Sequence, residues 1–323
     1  MIRMRWEARH KGRTSQGHKI ITVHRGSLNQ QQLTVAMEEW EFGYDPTTWA
    51  VTPDMKKSYK KNGFVLVRKM LNAEEVAKLK AAVADSKGIL QHAYCRSDGT
   101  RNNRMCVWNH PGEDVTGVLV RSQRIATTME ELMGGDEIYH YHSKMMMKDA
   151  RTGGPFVWHQ DYGYWYFNGC LYPEMGSVFI PIDDCVRANG CLQVLVGSHH
   201  MGRIDHVQVG TQLGAEPERV EEAKKRLTHV YVEMAAGDVL FFHSNLLHMS
   251  DGNDSDMRRW VFIVAFNKKS NNPYVEHHHP QYTPMRKVDD SELMKCQVIE
   301  NLEGKWFMHP DEDVSYKGGR RFH

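Results

Sequence analysis

The chain has 323 residues, with 41 basic and 40 acidic side chains and a formal net charge of +1. This balance excludes the broad positive field by which proteins attract nucleic acid or anionic membranes, and no apolar run approaches the roughly 20 residues of a membrane-spanning helix. We therefore expect a small-molecule partner, no nucleic-acid or membrane partner, and a cytoplasmic location. Seven basic residues and one acid among the first thirty are typical of a solvated basic arm and, more weakly, of a mitochondrial transit peptide.

Residues 1–52 are polar and show no sustained period, so we expect an N-terminal extension followed by a folded domain over 53–272. The run FVLVRKML (64–71) predicts a strand. The next segment, 72–88, predicts a helix in which Asn72 is the N-cap and Glu75 completes a capping box. A second helix is predicted over 122–133, where Gly134 and Gly135 end it.

From residue 138 onward the sequence changes to short β-type runs, several of them separated by glycine-containing turns. The predicted strands are 138–148, 156–161, 177–184, 191–199, 229–234, 238–243 and 259–267. Many short strands preceded by helices indicate a mainly β fold, a β-sandwich or jelly roll backed by N-terminal helices. A helical insertion is predicted at 216–227, and residues 273–323 are interpreted as an irregular C-terminal tail.

Six cysteines are scattered along the chain without a CxxC pair, and we interpret them as reduced thiols rather than as disulfides or zinc ligands. They are Cys95, Cys106, Cys170, Cys185, Cys191 and Cys296. No sequence feature indicates an oligomeric state.

The stretch FVWHQDYGYW (156–165) places His159 and Asp161 two residues apart. On a strand these side chains would point to the same face and could bind one metal ion. A facial triad of two histidines and one carboxylate, the usual non-haem iron(II) site, needs another histidine on a neighbouring strand. The segment that follows offers two candidates, His243 and His248.

A second His-x-Asp pair, His309 and Asp311, lies in the proline-bearing tail with no strand after it to supply another histidine. We interpret it as a surface pair.

A dicarboxylate cosubstrate would need a planar cationic partner in a dry pocket, which is the role that arginine fills best. Arg258 and Arg259 begin a predicted strand shortly after His248, and Ser250 can add a hydroxyl group. One of the two arginines is expected to be a solvated strand end.

Three linked motifs resemble those of the phytanoyl-CoA dioxygenase family of iron(II)/2-oxoglutarate-dependent enzymes. They are WHQD (158–161), NGCLQVLVGSHH (189–200) and HMSDGNDSDMRR (248–259). The segments YHYHSKMMMK (139–148) and FFHSNLLHMS (241–250) resemble the ectoine hydroxylase and proline hydroxylase branch of that family. The resemblance covers roughly residues 53–268 and implies a cupin-like double-stranded β-helix.

Carried over to this chain, the resemblance implies a set of site residues. The iron(II) ligands would be His159, Asp161 and His248, whereas His243, which alternates with Phe241 on its strand, is not expected to be a ligand. The 2-oxoglutarate residues would be Arg259, Ser250, Phe156 and Met146, although Met146 departs from an asparagine of the branch. The resemblance also implies O₂ as a substrate, and the presence of a carboxylate at 161 disfavours halogenation.

The substrate residues implied by the branch are His142, Lys144, Trp165 and Phe242. The basic group of Lys144 suits a substrate carboxylate, whereas His142 departs from a glutamine of the ectoine hydroxylase pattern and argues, with Met146, against ectoine itself. Trp165 and Phe242 can equally be core aromatics. Lys148 is either the lysine often found in the family or a surface lysine, and the loop residue His199 is interpreted as structural.

These features together predict hydroxylation of an unactivated C–H bond in a small amino-acid or imino-acid-like substrate, with release of succinate and CO₂. Two alternatives stay open: the same chemistry ending in oxidative cyclisation or desaturation, and a non-catalytic jelly-roll protein that binds zinc or no metal.

Overall fold

The computed structural model describes residues 38–97 and 100–309. Its strands are β1 (Glu41–Gly43), β2 (Phe64–Arg68), β3 (Tyr94–Ser97), β4 (Asn102–Trp108), β5 (Ile138–Lys148), β6 (Phe156–His159), β7 (Met175–Pro181), β8 (Leu192–Leu195), β9 (His206–Val209), β10 (Gln212–Ala215), β11 (His229–Val232), β12 (Val239–His243), β13 (His248–Ser250) and β14 (Arg259–Lys268). Its α-helices are α1 (Pro53–Asn62), α2 (Ala73–Ala84), α3 (Lys87–Gln91), α4 (Val115–Arg121), α5 (Gln123–Leu132), α6 (Asp161–Trp165), α7 (Pro217–Lys224) and α8 (Glu292–Lys295). None of the helices in these two ranges is long and apolar enough to cross a bilayer.

Most of the strands form a large and a small sheet, as a jelly roll requires, and β9 and β10 form a separate two-stranded sheet. The large sheet has the order β1-β2-β12-β7-β14-β5-β4-β3, and the small sheet has the order β11-β8-β13-β6. All pairings in these two sheets are antiparallel except that between β1 and β2. The mainly β, cupin-like fold predicted from the sequence is therefore confirmed.

Alternation along the strands of the large sheet divides its two faces. On β2, Val65 and Val67 belong to a core shared with α1, α2, α4 and α5, whereas Phe64 and Leu66 belong to a second core shared with β8 of the small sheet. This is the period of two that a strand buried on both faces must show. The N-terminal helices thus back one face of the large sheet and leave the other face for the small sheet.

The predicted helices are present, although the segment predicted over 72–88 forms α2 and the short α3, and Gly88 lies inside α3. The capping box of Asn72 and Glu75 is present at the start of α2. The predicted helix over 122–133 is present as α5. The helix α4, which the sequence did not indicate, precedes it, and Ser122, with an extended backbone and a ψ of 144°, separates the two. The predicted helical insertion is present as α7.

Both ends of the domain differ from the expected boundaries. The expected extension over 1–52 includes β1, which pairs with β2 and places the ring centroid of Trp40 5.5 Å from that of Phe64. The expected irregular tail also packs on the domain as far as residue 309, since Leu293 and Met308 are buried. The composition of these segments does not predict their packing, because the packing depends on contacts with residues that are far away in the sequence. His309 is exposed, and Asp311 lies outside the described residues.

Candidate active site

The two predicted histidine ligands lie on neighbouring strands of the small sheet. His159 on β6 is directly opposite His248 on β13, and their ring centroids are 4.0 Å apart. Oδ1 of Asp161 is 3.8 Å from Nε2 of His248. One ligand atom from each of these three residues lies within 4.8 Å of the other two, and in the described residues they form the one group of three or more His, Cys, Asp or Glu side chains that can hold a metal ion.

Asp161 reaches this cluster in a different way from the one predicted. The strand ends at His159, and Asp161 is the first residue of the short helix α6, so the rule that residues i and i+2 share a strand face does not apply. The turn through Gln160 brings the carboxylate back toward the histidines. Ser177 then orients it by donating a hydrogen bond of 2.6 Å from its hydroxyl to Oδ2.

An irregularity in the pairing of β6 with β13 decides which aromatic residues face the site. His159 pairs with His248, but Phe156 pairs with Ser250, so three residue steps on β6 oppose two on β13. Such a bulge turns the strand and redirects its side chains. Phe156 consequently lines the pocket, whereas Trp158 packs in a separate cluster with Leu195 and Ile204 and does not exclude water from the site.

The hydrogen bonds of the two histidines prepare them to bind a metal. Nδ1 of His159 donates to the carbonyl of Val157 at 2.7 Å, and Nδ1 of His248 donates to the carbonyl of Leu246 at 2.8 Å. Because a carbonyl only accepts, each Nδ1 carries the proton and each Nε2 keeps its lone pair. Burial lowers the pKa of both imidazoles below its usual value, which keeps them neutral as a metal ligand requires.

Two residues that the sequence did not identify hold this turn in place. The buried Gln160 donates from Nε2 to the carbonyls of Gly202 and Asn245 at 2.8 and 2.7 Å, and its backbone N–H donates to Nε2 of His206 at 3.0 Å. The His206 ring packs so close to α6 that a Cβ on Gly163 would lie 1.9 Å from its Cε1. A glycine at 163 is the one sequence signal of this contact.

One end of the pocket is lined by the buried Arg259, and the buried Lys148 lies behind Ser250, which also lines it. Arg259 is 2% exposed and donates from Nε to the carbonyl of Gly190 at 3.0 Å, with a second, shorter bond from Nη2. Lys148 lies opposite Arg259 in the pairing of β5 with β14, and its Nζ donates to Oγ of Ser250 at 2.8 Å. No acidic side chain of residues 38–97 or 100–309 lies within salt-bridge distance of either cation. A negative charge from a ligand would be well matched here.

Lys148 is therefore not the surface lysine that one sequence interpretation allowed, because it is completely buried. Of the two neighbouring arginines, Arg258 is the one that faces outward, as expected for one of the pair. Its side chain is one-third exposed, forms a salt bridge of 2.8 Å with Asp183, and stacks on Trp260. Gly190 accepts the bonds of Arg259 from a turn in which its φ is +78°.

The opposite wall of the pocket comes from alternate residues of β5 and from aromatic side chains. His142, Lys144 and Met146 all line the pocket, as strand alternation predicts. Trp165 and Phe242 belong to the hydrophobic core and also line the pocket, since each is nearly fully buried and each contacts the cavity. The pocket is also lined by residues that no sequence motif indicated, and one of them, His279, comes from the segment after β14.

The remaining histidine and cysteine predictions also have an outcome. His243 accepts a hydrogen bond at Nδ1 from the backbone N–H of Asn245, and it is not part of the metal-binding group. Nε2 of His199 lies 3.1 Å from the carbonyl of Lys60, which agrees with a structural role. All six cysteines are free thiols, as predicted.

Residues 59–261, more than half of the chain, match the sequence pattern of the phytanoyl-CoA dioxygenase (PhyH) family. The chain belongs to this family. It is a dioxygenase of the oxidoreductase class, and the predicted family membership is confirmed.

Individual relatives agree with this assignment. The chain is 28% identical to an L-proline trans-4-hydroxylase of Streptomyces griseoviridis over 254 residues, which cover 74% of this chain and 93% of that protein. It is 27% identical to an ectoine dioxygenase of Bordetella parapertussis over 248 residues, which cover 69% of this chain and 77% of that protein. The fold is similar to the crystal structure of EctD from S. alaskensis with bound Fe, with a TM-score of 0.63, 23% identity, and coverage of 76% of this chain and 92% of that one.

Proposed function

We propose that this protein is an Fe(II)/2-oxoglutarate-dependent dioxygenase that hydroxylates an unactivated C–H bond of a small amino or imino acid, with release of succinate and CO₂. The observation that carries the proposal is that one pocket contains both the cluster of His159, Asp161 and His248 and, at its other end, the buried Arg259 with Ser250, whose hydroxyl accepts a hydrogen bond from Lys148.

The donor set fits ferrous iron. Two neutral imidazoles with free Nε2 lone pairs and one carboxylate form the 2-His-1-carboxylate ligand set of non-haem iron(II) oxygenases. His159, Asp161 and His248 would hold the ion on one side and leave its other side toward the pocket. The hydrogen bonds with Val157, Leu246 and Ser177 already fix the orientation of the three ligand side chains, so little ordering is needed when the metal binds.

The cationic end fits the distal carboxylate of 2-oxoglutarate. Arg259 can offer N–H groups in a plane, the arrangement that matches a carboxylate. The ammonium of Lys148 donates to Oγ of Ser250, which leaves the hydroxyl proton of Ser250 to point toward a ligand oxygen. Phe156 and Met146 would cover the chain of the cosubstrate between this end and the metal.

The other wall would recognise the primary substrate. Lys144 carries the positive charge that a substrate carboxylate needs. Burial lowers the pKa of four histidines around the pocket, and the charge of Lys144 adds to this effect; they are His142, His159, His248 and His279. The similarity to a proline hydroxylase and to ectoine dioxygenases supports a small substrate that contains both nitrogen and a carboxylate. Trp165 and Phe242 would shape the apolar part of the site.

Iron(II) with 2-oxoglutarate and O₂ supplies the oxidant for the C–H bond. The protein's own residues bind and orient both organic molecules and keep water out of the pocket.

Anaerobic titration of the purified protein with iron(II) and 2-oxoglutarate tests the cofactor assignment. A visible charge-transfer band that appears only with both additions supports it, and its absence in folded protein would favour a zinc-binding or metal-free jelly roll. A succinate-release screen with amino and imino acids tests the substrate class. The mass of the product then separates hydroxylation, which adds one oxygen, from cyclisation or desaturation, which removes two hydrogens.

A further inference from the structure

The pocket is closed on its substrate side by a residue from outside the region that matches the family. The matching region ends at residue 261, and His279 belongs to a loop over 272–282 that follows β14. His279 is 7% exposed and lines the same pocket as the predicted metal ligands. Its position is therefore a property of this chain's C-terminal segment.

The loop that carries His279 is closed by its own hydrogen bonds. The side chain of Asn272 donates to Oε1 of Gln281 at 2.6 Å and accepts from the backbone N–H of Tyr282 at 2.6 Å. The N–H of Tyr274 also donates to the carbonyl of Gly169, a residue that follows α6. These bonds join both ends of the loop and attach it beside the helix that begins with Asp161, so His279 is held rather than loosely placed.

His279 forms an aromatic stack with residues of β5. Its ring centroid is 4.8 Å from that of His142, with an angle of 27° between the planes, and 4.5 Å from that of Tyr141. His142 is 5% exposed, lines the pocket, and has no hydrogen-bond partner at Nδ1. A buried polar atom without a partner costs free energy unless a ligand satisfies it.

The charges around the pocket indicate what this pair can recognise. Among the described residues that line the pocket, Asp161 is the one acid, and it belongs to the metal-binding group. A substrate ammonium or imino group therefore has no second carboxylate to pair with. Neutral imidazoles offer one lone pair each, and the indole of Trp165, whose ring centroid is 5.8 Å from that of His142, adds an aromatic surface that attracts cations.

We infer that His279 and His142 form a pair of hydrogen-bond acceptors that recognises the N–H of the substrate, while Lys144 binds its carboxylate. This inference rests on the proposed function and makes it more specific: the preferred substrate is an amino or imino acid with a free N–H, and His279 is a specificity-determining residue. The two histidines would thus bind the substrate nitrogen without an acidic side chain.

The test compares two ligands that differ only at the nitrogen. L-Proline and cyclopentanecarboxylate have the same ring and carboxylate, so the ratio of their dissociation constants from the anaerobic Fe(II)–2-oxoglutarate protein measures recognition of the N–H. Hydrogen bonds of charged groups correspond to a preference for L-proline of about tenfold or more in the wild-type protein. We expect His279→Phe, which keeps an aromatic ring but has no lone pair, to reduce that ratio severalfold, because only His142 then accepts from the N–H, and we expect His279→Gln to restore part of it.

His278→Ala is the matched control, because His278 is on the same loop and does not line the pocket. It should leave the ratio unchanged. A wild-type protein that does not prefer L-proline, or a His279→Phe variant that keeps the full preference, would overturn the inference. Failure of the proposed function has a different signature, since the charge-transfer band would then be missing from the wild-type protein and all variants before any substrate analogue is added.

Discussion

The largest expected effect is that of replacing Arg259, the buried arginine at the proposed 2-oxoglutarate end of the pocket. We expect Arg259→Ala to weaken 2-oxoglutarate binding severely, because it removes the planar partner of a carboxylate in a site where no other arginine lines the described pocket. Removing one partner of a buried, hydrogen-bonded charge pair typically costs about 2–5 kcal/mol. Since about 1.4 kcal/mol corresponds to a factor of ten, the dissociation constant should rise roughly 30-fold to several thousand-fold.

The assay is anaerobic titration with 2-oxoglutarate at saturating iron(II), followed by the visible absorption band. Arg258→Ala is the matched control: the side chain is the same, but it pairs with Asp183 and is partly exposed, and such pairs contribute only about 0–1 kcal/mol. Arg259→Lys should lie between the wild type and Arg259→Ala, because it keeps a positive charge but loses the planar pair of donors. Circular dichroism checks that each variant is folded. If Arg258→Ala weakened binding more than Arg259→Ala, the assignment of the cosubstrate end would be refuted.

Three further predictions follow from buried groups near the site. Lys148→Met should raise the dissociation constant of 2-oxoglutarate about tenfold, because Ser250 loses the donor that orients its hydroxyl. An unchanged dissociation constant in the same titration would contradict this role of Lys148. Gly190→Ala should destabilise the protein more than Gly210→Ala in urea unfolding. Both glycines have positive φ, so either substitution strains the backbone by a few kcal/mol at most. At position 190, however, the new Cβ would also lie 2.4 Å from the carbonyl oxygen of Asp251, whereas no atom lies within 4 Å at position 210. Burial lowers the pKa of His140 to about 3 and of His206 to about 4, so both stay neutral in the folded protein while the unfolded chain takes up protons below pH about 6.5. The free energy of unfolding of the metal-free protein should therefore fall by about 1.4 kcal/mol per pH unit for each histidine as the pH is lowered from 6 to 5. His140→Gln should give a smaller slope. Equal slopes for the variant and the wild type would show that His140 does not contribute.

Local patterns predicted most of the secondary structure because they act over a few residues. The alternation along β5 put His142, Lys144 and Met146 on one face, and the structure has all three in the pocket. The capping box at Asn72 gave the start of α2 for the same reason, since an N-cap and its third residue meet within one turn. The helix α4 was not predicted, because all of its residues from Val115 to Arg121 are buried and it therefore lacks the amphipathic period of a surface helix.

The sequence alone determined the family, the fold class and the residue types of the metal and cosubstrate groups, because these reside in short motifs with fixed spacing. Only the tertiary structure decided how Asp161 reaches the histidines, which side of the strand end Arg258 and Arg259 face, and whether Lys148 is exposed. Lys148 and Ser250 are 102 residues apart in the chain, and His142 and His279 are even farther apart, so no local period relates them. Long-range packing places Lys148 against the hydroxyl of Ser250 and His279 against His142, and a single sequence contains no signal of that packing.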